Sequence, residues 1–113
     1  MNLRTVQMVR TVLLLAAMVL VVTASARAQD AGALFKAKCS ACHAPDGSGS
    51  GTMGKNLKTP DLRSEEAQKK TDAQLIDSIT NGVGKKMPAF KGKLTDAQIK
   101  DLVGYIRGLA KKS

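Results

Sequence analysis

Apolar residues recur at helical spacing near the carboxyl end of the chain. Thr95–Gln98 reads Thr-Asp-Ala-Gln, in which a hydroxyl and an amide three residues apart can form a capping box. The apolar positions that follow keep the i, i+3, i+4, i+7 spacing of one helix face, at Ile99, Leu102, Val103, Ile106, Leu109 and Ala110. The pattern predicts an amphipathic helix of about four turns that starts after Thr95.

Two further segments carry a helical signal. The same four-residue motif recurs at Thr71–Gln74, and an apolar stripe follows it at Leu75, Ile76 and Ile79. Gly82 or Gly84 can end this helix in a left-handed turn. Upstream, side chains share one helical face at Ala31, Leu34, Phe35, Cys39 and Cys42. No stretch alternates convincingly as a β-strand does, so the pattern predicts an all-α fold with about three main helices.

Polar and glycine-rich segments separate the predicted helices. Residues 45–54 hold four glycines and two serines, a composition that favours a loop. The polar segment after it predicts one short helix from near Pro60. Long loops are uncommon in a small domain unless they serve a function. We therefore expect these loops to wrap around a bound group.

The first 28 residues have the three parts of a secretory signal peptide. The start is basic, residues 12–22 form an uninterrupted apolar run of 11, and small residues surround Ala26-Arg27-Ala28. The run is shorter than the ~20 residues that a membrane-spanning helix needs, which favours cleavage over a retained anchor. We expect cleavage after Ala28, with Ala26 as the less favoured site. Residues 29–113 would then form a single domain in the periplasm.

Composition indicates that the side chains of this domain alone are barely enough to form a stable core. Residues 29–113 carry 15 lysines and arginines against 9 acidic residues, a formal charge of +6. Their only aromatic residues are Phe35, Phe90 and Tyr105. A domain of this size buries barely enough apolar surface to be stable alone. A disulfide between Cys39 and Cys42 would close too small a loop to add much.

All the cysteine and histidine of the chain lies in Cys39-Ser40-Ala41-Cys42-His43. On a helical turn, positions i, i+3 and i+4 share one face. Two thiols can then add to the vinyl groups of a haem while the imidazole binds its iron, and this spacing is the c-type haem attachment pattern. A thiol redox motif would be expected in a βαβ context, and structural zinc needs four ligands. The motif therefore predicts one haem c, attached through Cys39 and Cys42, with His43 as an iron ligand.

A low-spin haem that carries electrons needs a sixth iron ligand, and methionine is the candidate residue type. A neutral thioether suits reduced iron and raises the reduction potential. Pro88 fixes its own backbone and favours an extended residue before it, which suits the presentation of Met87 from a stiff loop. Met53 lies only ten residues after His43, from where the opposite haem face is hard to reach. We therefore predict Met87 as the second axial ligand.

These motifs resemble the class I c-type cytochromes, the small bacterial monohaem kind. The resemblance rests on CSACH, GKNL, KKMPAF and DLVGYIRGL and covers nearly all of residues 31–112. It implies a compact cytochrome c-like fold of helices around one haem, with His43 and Met87 on the iron. It also implies that the first and last helices of the domain cross, with Phe35 near Leu102 and Tyr105.

Two positions depart from the pattern of that family. A glycine commonly stands at the helix crossing where this chain has Ala31; Gly32 is displaced by one position, and Gly104 is expected to permit the close approach instead. Many relatives have a proline at the position of Lys55, whose backbone carbonyl holds the other ring nitrogen of the histidine. The Lys55 carbonyl can keep that hydrogen bond, in a less stiff loop.

Lysines surround the predicted haem-binding segments. They are Lys36, Lys38, Lys55, Lys58, Lys85, Lys86, Lys91 and Lys93. A positive ring would speed encounter with an acidic redox partner and lose strength with salt, although the same charges also serve solubility. Nucleic acid is a poor match because no platform of aromatic and basic residues is visible. An anionic membrane surface would offer only weak docking.

The sequence thus predicts a soluble, monomeric electron carrier without catalytic residues. Three alternatives stay open. The chain could be the haem subunit of a larger oxidoreductase. If Met87 does not bind the iron, the protein could be a five-coordinate haem sensor or peroxidase. A thiol oxidoreductase without haem is the third.

Overall fold

Six helices make up the computed structural model, which describes residues 1–110 without the side chains at positions 24, 25, 28 and 29. In chain order they are α1 Leu3–Lys38, α2 Ser40–His43, α3 Thr52–Leu57, α4 Glu65–Gln68, α5 Asp72–Asn81 and α6 Asp96–Gly108. Over residues 1–110 the only β-type pairing is two isolated bridges, Val83 with Met87 and Lys91 with Leu94. The all-α prediction is confirmed.

The core forms where the carboxyl half of α1 meets α6. Phe35 and Leu102 are each 1% exposed, and the rings of Phe35 and Tyr105 have centroids 5.0 Å apart. Leu75 and Ile79 of α5 complete the same buried cluster. The predicted contact between the first and last helices of the domain is therefore confirmed, together with the residues that make it.

Gly32, and not Gly104, permits the close approach of these two helices. A Cβ atom built on Gly32 would lie 3.3 Å from the ring of Tyr105, whereas one on Gly104 would meet nothing within 4 Å. Ala31, next to Gly32, is 3% exposed. The prediction for Gly104 is wrong because that residue lies on the exposed face of α6.

The two predicted capping boxes are present. At the start of α5, the Thr71 hydroxyl accepts from the Gln74 amide at 3.1 Å, and the Gln74 side chain accepts from the Thr71 amide at 2.9 Å. Thr95 and Gln98 repeat this pair at the start of α6. Each box pairs two amides that a helix start would otherwise leave without partners. Local sequence therefore sets where both helices begin.

The glycine-rich segment of residues 45–54 was predicted as a loop, but α3 begins within it, at Thr52. Gly54 lies inside this helix, where an added Cβ atom would collide with the carbonyl oxygens of Cys42 and Gly49. Tertiary packing thus overrides the poor helix propensity of glycine. The short helix predicted near Pro60 begins later, at α4, because Ser64 caps it by accepting from the Ala67 amide at 3.2 Å.

The amino half of α1 extends away from the core. Leu3–Thr23 is a 21-residue segment with a mean hydropathy of 2.1 and 0% burial, so by length and composition alone it could cross a membrane. A signal sequence passes the same test. The sequence analysis favoured cleavage because the apolar run of residues 12–22 is too short to span a membrane. The apolar helix is longer than that run, so its length does not favour cleavage over a retained anchor. The helix continues unbroken through position 28, after which the sequence predicts cleavage.

Candidate haem site

Residues 39–43 form one helical turn at the carboxyl end of α1. The Cys39 amide donates to the Phe35 carbonyl at 2.8 Å, and the His43 amide donates to the Cys39 carbonyl at 3.0 Å. Cys39 and Cys42 carry free thiols and, like His43, are half-buried. The structure therefore brings the two thiols and the imidazole together on one turn, as the spacing predicted.

Burial controls the charge of this turn. The ring centroid of His43 lies 6.5 Å from that of Phe35, so the imidazole borders the core. Burial lowers the pKa of His43 below its ordinary value, which keeps the imidazole neutral at pH 7 and able to bind a metal. Burial also raises the pKa of the Cys39 thiol to about 11. The His43 imidazole and the Cys39 thiol are thus uncharged donors at pH 7.

One ring nitrogen of His43 has no protein partner. Its Nδ1 atom is buried and makes no hydrogen bond within residues 1–110. The expected acceptor, the Lys55 carbonyl, accepts instead from the Lys58 amide at 3.2 Å, so the hydrogen bond predicted from the sequence is not formed. A buried polar atom left unpaired costs about 1–3 kcal/mol. Free thiols beside a neutral imidazole with an unpaired nitrogen fit a covalently attached haem.

Met87 lies on a short hairpin that follows α5. The Val83 amide donates to the Met87 carbonyl at 3.0 Å, and the Met87 amide donates to the Val83 carbonyl at 3.2 Å. The Met87 side chain is half-buried and packs against the same buried cluster as Cys39. Met53, on the first turn of α3, is 53% exposed. The core thus adjoins both Cys39 and Met87, although 48 positions separate them in the sequence.

Two glycines that the sequence analysis did not assign to the site shape it. Gly54 lets α3 pack directly on the Cys42 carbonyl. Gly82 has a φ of +77°, and a Cβ atom there would lie 2.6 Å from the Met87 carbonyl oxygen. Glycine tolerates such a backbone and such an approach because it has no Cβ atom. The sequence signal that could have indicated these roles is the position of each glycine: Gly54 begins the GKNL motif, and Gly82 lies five positions before Met87.

We predict that Gly54→Ala will destabilise the haem-loaded protein by about 3 kcal/mol, because the new methyl group can be accommodated only if α3 moves off the cysteine turn. The measurement is urea unfolding, followed by circular dichroism. Gly51→Ala is the matched control: Gly51 precedes α3, and a Cβ atom there meets nothing within 4 Å. The Gly51→Ala variant should lose only about 0.5–1 kcal/mol of its free energy of unfolding, since alanine is a poorer helix cap. Equal unfolding midpoints for the two variants would contradict the packing argument.

Comparisons with known proteins find cytochromes and subunits of cytochrome oxidases. The family described as "Cytochrome C oxidase, cbb3-type, subunit III" matches residues 26–106. Cytochrome c6 of Leptolyngbya boryana is 39% identical over 84 residues, which cover 72% of this chain and 91% of that protein. The cbb3-type cytochrome c oxidase subunit CcoP of Azospirillum brasilense is 34% identical over 88 residues, 77% of this chain and 30% of the subunit. The structure of the KustC0563 c-type cytochrome matches with a TM-score of 0.66 and 33% identity, over 71% of this chain and 96% of that one.

A small helical domain with two thiols and an imidazole on one turn defines a protein that binds haem covalently. The chain belongs to the class I monohaem c-type cytochromes, its cofactor is haem c, and its role is in electron transfer. It spans most of the Leptolyngbya cytochrome c6 but less than a third of CcoP.

Proposed function

We propose that this protein is a soluble periplasmic carrier of single electrons, with His43 and Met87 as the iron ligands and with thioether bonds from Cys39 and Cys42. The observation that carries the proposal is the packing of Cys39 and Met87, from distant segments, against one core cluster. The bound haem supplies the couple between ferric and ferrous iron. The similarity to cytochrome c6 over 91% of that protein supports a free-standing carrier.

The protein's own side chains have three roles in this proposal. The two thiols hold the cofactor permanently, which suits an exported protein. The neutral imidazole of His43 and the thioether of Met87 donate to iron without adding charge, and the thioether favours the reduced state. Apolar side chains of the core, such as Phe35, exclude water and so help to set the potential.

The lysine ring is the proposed docking surface for partners. All eight lysines named above are exposed, and residues 82–95 contain four lysines and no acidic residue. The salt bridges found within residues 1–110 involve Arg63, Lys69 and Arg107, so these lysines are not neutralised by such pairs. We propose that redox partners present acidic surfaces and that the carrier is a monomer between encounters. The association rate should then fall steeply with ionic strength; a rate independent of salt would contradict acidic docking.

We further propose that residues 1–28 are a signal peptide and that residues 29–113 form the mature domain. The basic start and the small residues around Ala26-Arg27-Ala28 support it. The intact mass of the exported protein, corrected for one haem, should correspond to a chain that begins at Gln29. A mass that includes residues 1–28 would show a retained membrane helix instead.

A second candidate function is that of a haem subunit in a larger oxidase. The similarity to CcoP, over 77% of this chain, favours it. A stable partner that stays bound at high salt during purification would support the subunit, whereas transient, salt-sensitive binding would support the shuttle. No substrate-turnover residues are evident, so we propose that the protein is not itself an enzyme.

The test of the proposed function is a visible absorption spectrum of protein exported from a host that matures c-type haem. We expect a covalent haem, a six-coordinate reduced spectrum and, in the oxidised state, the weak far-red band of sulfur bound to iron. A high-spin haem that binds carbon monoxide would favour a sensor or peroxidase. A haem-free protein with two titratable thiols would favour a thiol oxidoreductase.

A further inference from the structure

Lys86 makes a hydrogen bond across the site. Its Nζ atom donates to the carbonyl oxygen of Leu57 at 3.2 Å, between positions 29 apart in the sequence. Leu57 is the last residue of α3, where helix carbonyls have no partner within the helix. The helix dipole also makes this end negative, which favours a lysine ammonium group. The contact is therefore a charge-assisted hydrogen bond at a helix terminus.

Within residues 1–110, the other hydrogen bonds of the hairpin that carries Met87 run to the end of α5 or within the hairpin itself. At its base, the Phe90 amide donates to the Ile79 carbonyl and the Lys91 amide to the Thr80 carbonyl, each at 3.0 Å. These bonds tie the hairpin to the end of α5. Its tip is closed by the bridge between Val83 and Met87.

Few hydrogen bonds connect the Met87 hairpin with the segment that follows the cysteine motif. Among the described residues, the Lys86–Leu57 bond is the only hydrogen bond between residues 82–94 and residues 44–59. Helix α3, at whose end this bond arrives, packs through Gly54 on the carbonyl of Cys42. The bond therefore connects the segment that carries Met87 to the segment that carries His43.

We propose that Lys86 is a positioning residue that acts as a latch: its bond to Leu57 keeps the Met87 hairpin closed over the haem site. This inference rests on the proposed function, since it takes Met87 as the iron ligand. Without the latch, the hairpin opens more often about its base on α5, and Met87 leaves the iron more often. Lys86 thus stabilises the closed form without touching the iron.

The test compares three variants of the haem-loaded protein. Lys86→Met removes the donor, Lys86→Arg keeps one, and Lys85→Met is the matched control. Lys85 is exposed, and the structure shows no hydrogen bond or salt bridge from its side chain within residues 1–110. Lys86→Met and Lys85→Met each remove one charge from adjacent positions, so they alter the net charge equally.

The measurement is the rate at which imidazole displaces the sixth ligand of the oxidised protein. Imidazole is largely neutral at pH 8, so electrostatic steering contributes little. If binding waits for the hairpin to open, Lys86→Met should bind imidazole about three- to tenfold faster, the factor that one net hydrogen bond represents. Lys85→Met should match the wild type, and Lys86→Arg should restore most of the wild-type rate.

The outcomes separate the latch from the proposed function. Equal imidazole rates in Lys86→Met and Lys85→Met, with the far-red sulfur band present in the wild type, would overturn the latch alone. Absence of that band in the wild type would overturn Met87 as a ligand and the latch with it. A faster rate in Lys86→Met that Lys86→Arg did not reduce would also overturn it, because the effect would then not depend on a donor to the Leu57 carbonyl.

Discussion

His43→Ala will prevent the accumulation of haem-loaded protein in a host that matures c-type haem. His43 is the only histidine of the chain, so no second imidazole can replace it. It lies on the same turn as both thiols, next to the point of attachment. Loss of groups that merely support a metal ligand lowers metal affinity 10–100-fold, so loss of the ligand itself should lower it by at least about 100-fold.

Haem staining of a denaturing gel measures the covalent haem, and circular dichroism measures the fold. We expect the His43→Ala chain to be largely unfolded, because the haem completes a core that has few aromatic residues. Ser40→Ala is the control on the same turn, since within residues 1–110 the Ser40 hydroxyl bonds only to the Lys36 carbonyl, at 2.5 Å. It should retain its haem. Full haem content and an unchanged low-spin spectrum in His43→Ala would show that another group binds the iron.

Local chemistry explains which features could be predicted from the sequence. The capping boxes at Thr71 and Thr95 involve residues three apart, so their geometry depends on little beyond the segment itself. The cysteine motif is equally local, because one helical turn suffices to bring Cys39, Cys42 and His43 together. Apolar periodicity also identified the buried face of α6, since burial there follows the helix repeat.

Features that depend on distant residues could not be predicted in the same way. The helix around Gly54 forms because that residue packs on Cys42 and Gly49, which propensity alone does not reveal. Which glycine permits the close approach depends on how α1 and α6 rotate against each other, so the sequence alone did not show that Gly32, one position after Ala31, makes the contact and Gly104 does not. The bond from Lys86 to Leu57 likewise appears only when the two segments are brought together in space.

Met87→Ala will keep its covalent haem but lose the sulfur ligand. The attachment turn is intact in this variant, so haem content should equal that of the wild type. The oxidised protein should lose the far-red sulfur band, and the reduced protein should bind carbon monoxide at neutral pH because the sixth position is open. The reduction potential should fall by on the order of 0.1–0.2 V, a modest part of the ~0.8 V range that axial ligands span.

Met53→Ala is the control that distinguishes loss of the iron ligand in Met87→Ala from a general effect of removing a methionine. Met53 is the other methionine of residues 29–113, and its side chain is 53% exposed, whereas that of Met87 is half-buried against the core. The Met53→Ala protein should therefore keep the wild-type spectrum and potential. An unchanged spectrum in Met87→Ala together with an altered one in Met53→Ala would mean that α3 supplies the ligand. The hairpin after α5 would then have only a packing role, and its lysines, still exposed, would serve partner docking alone.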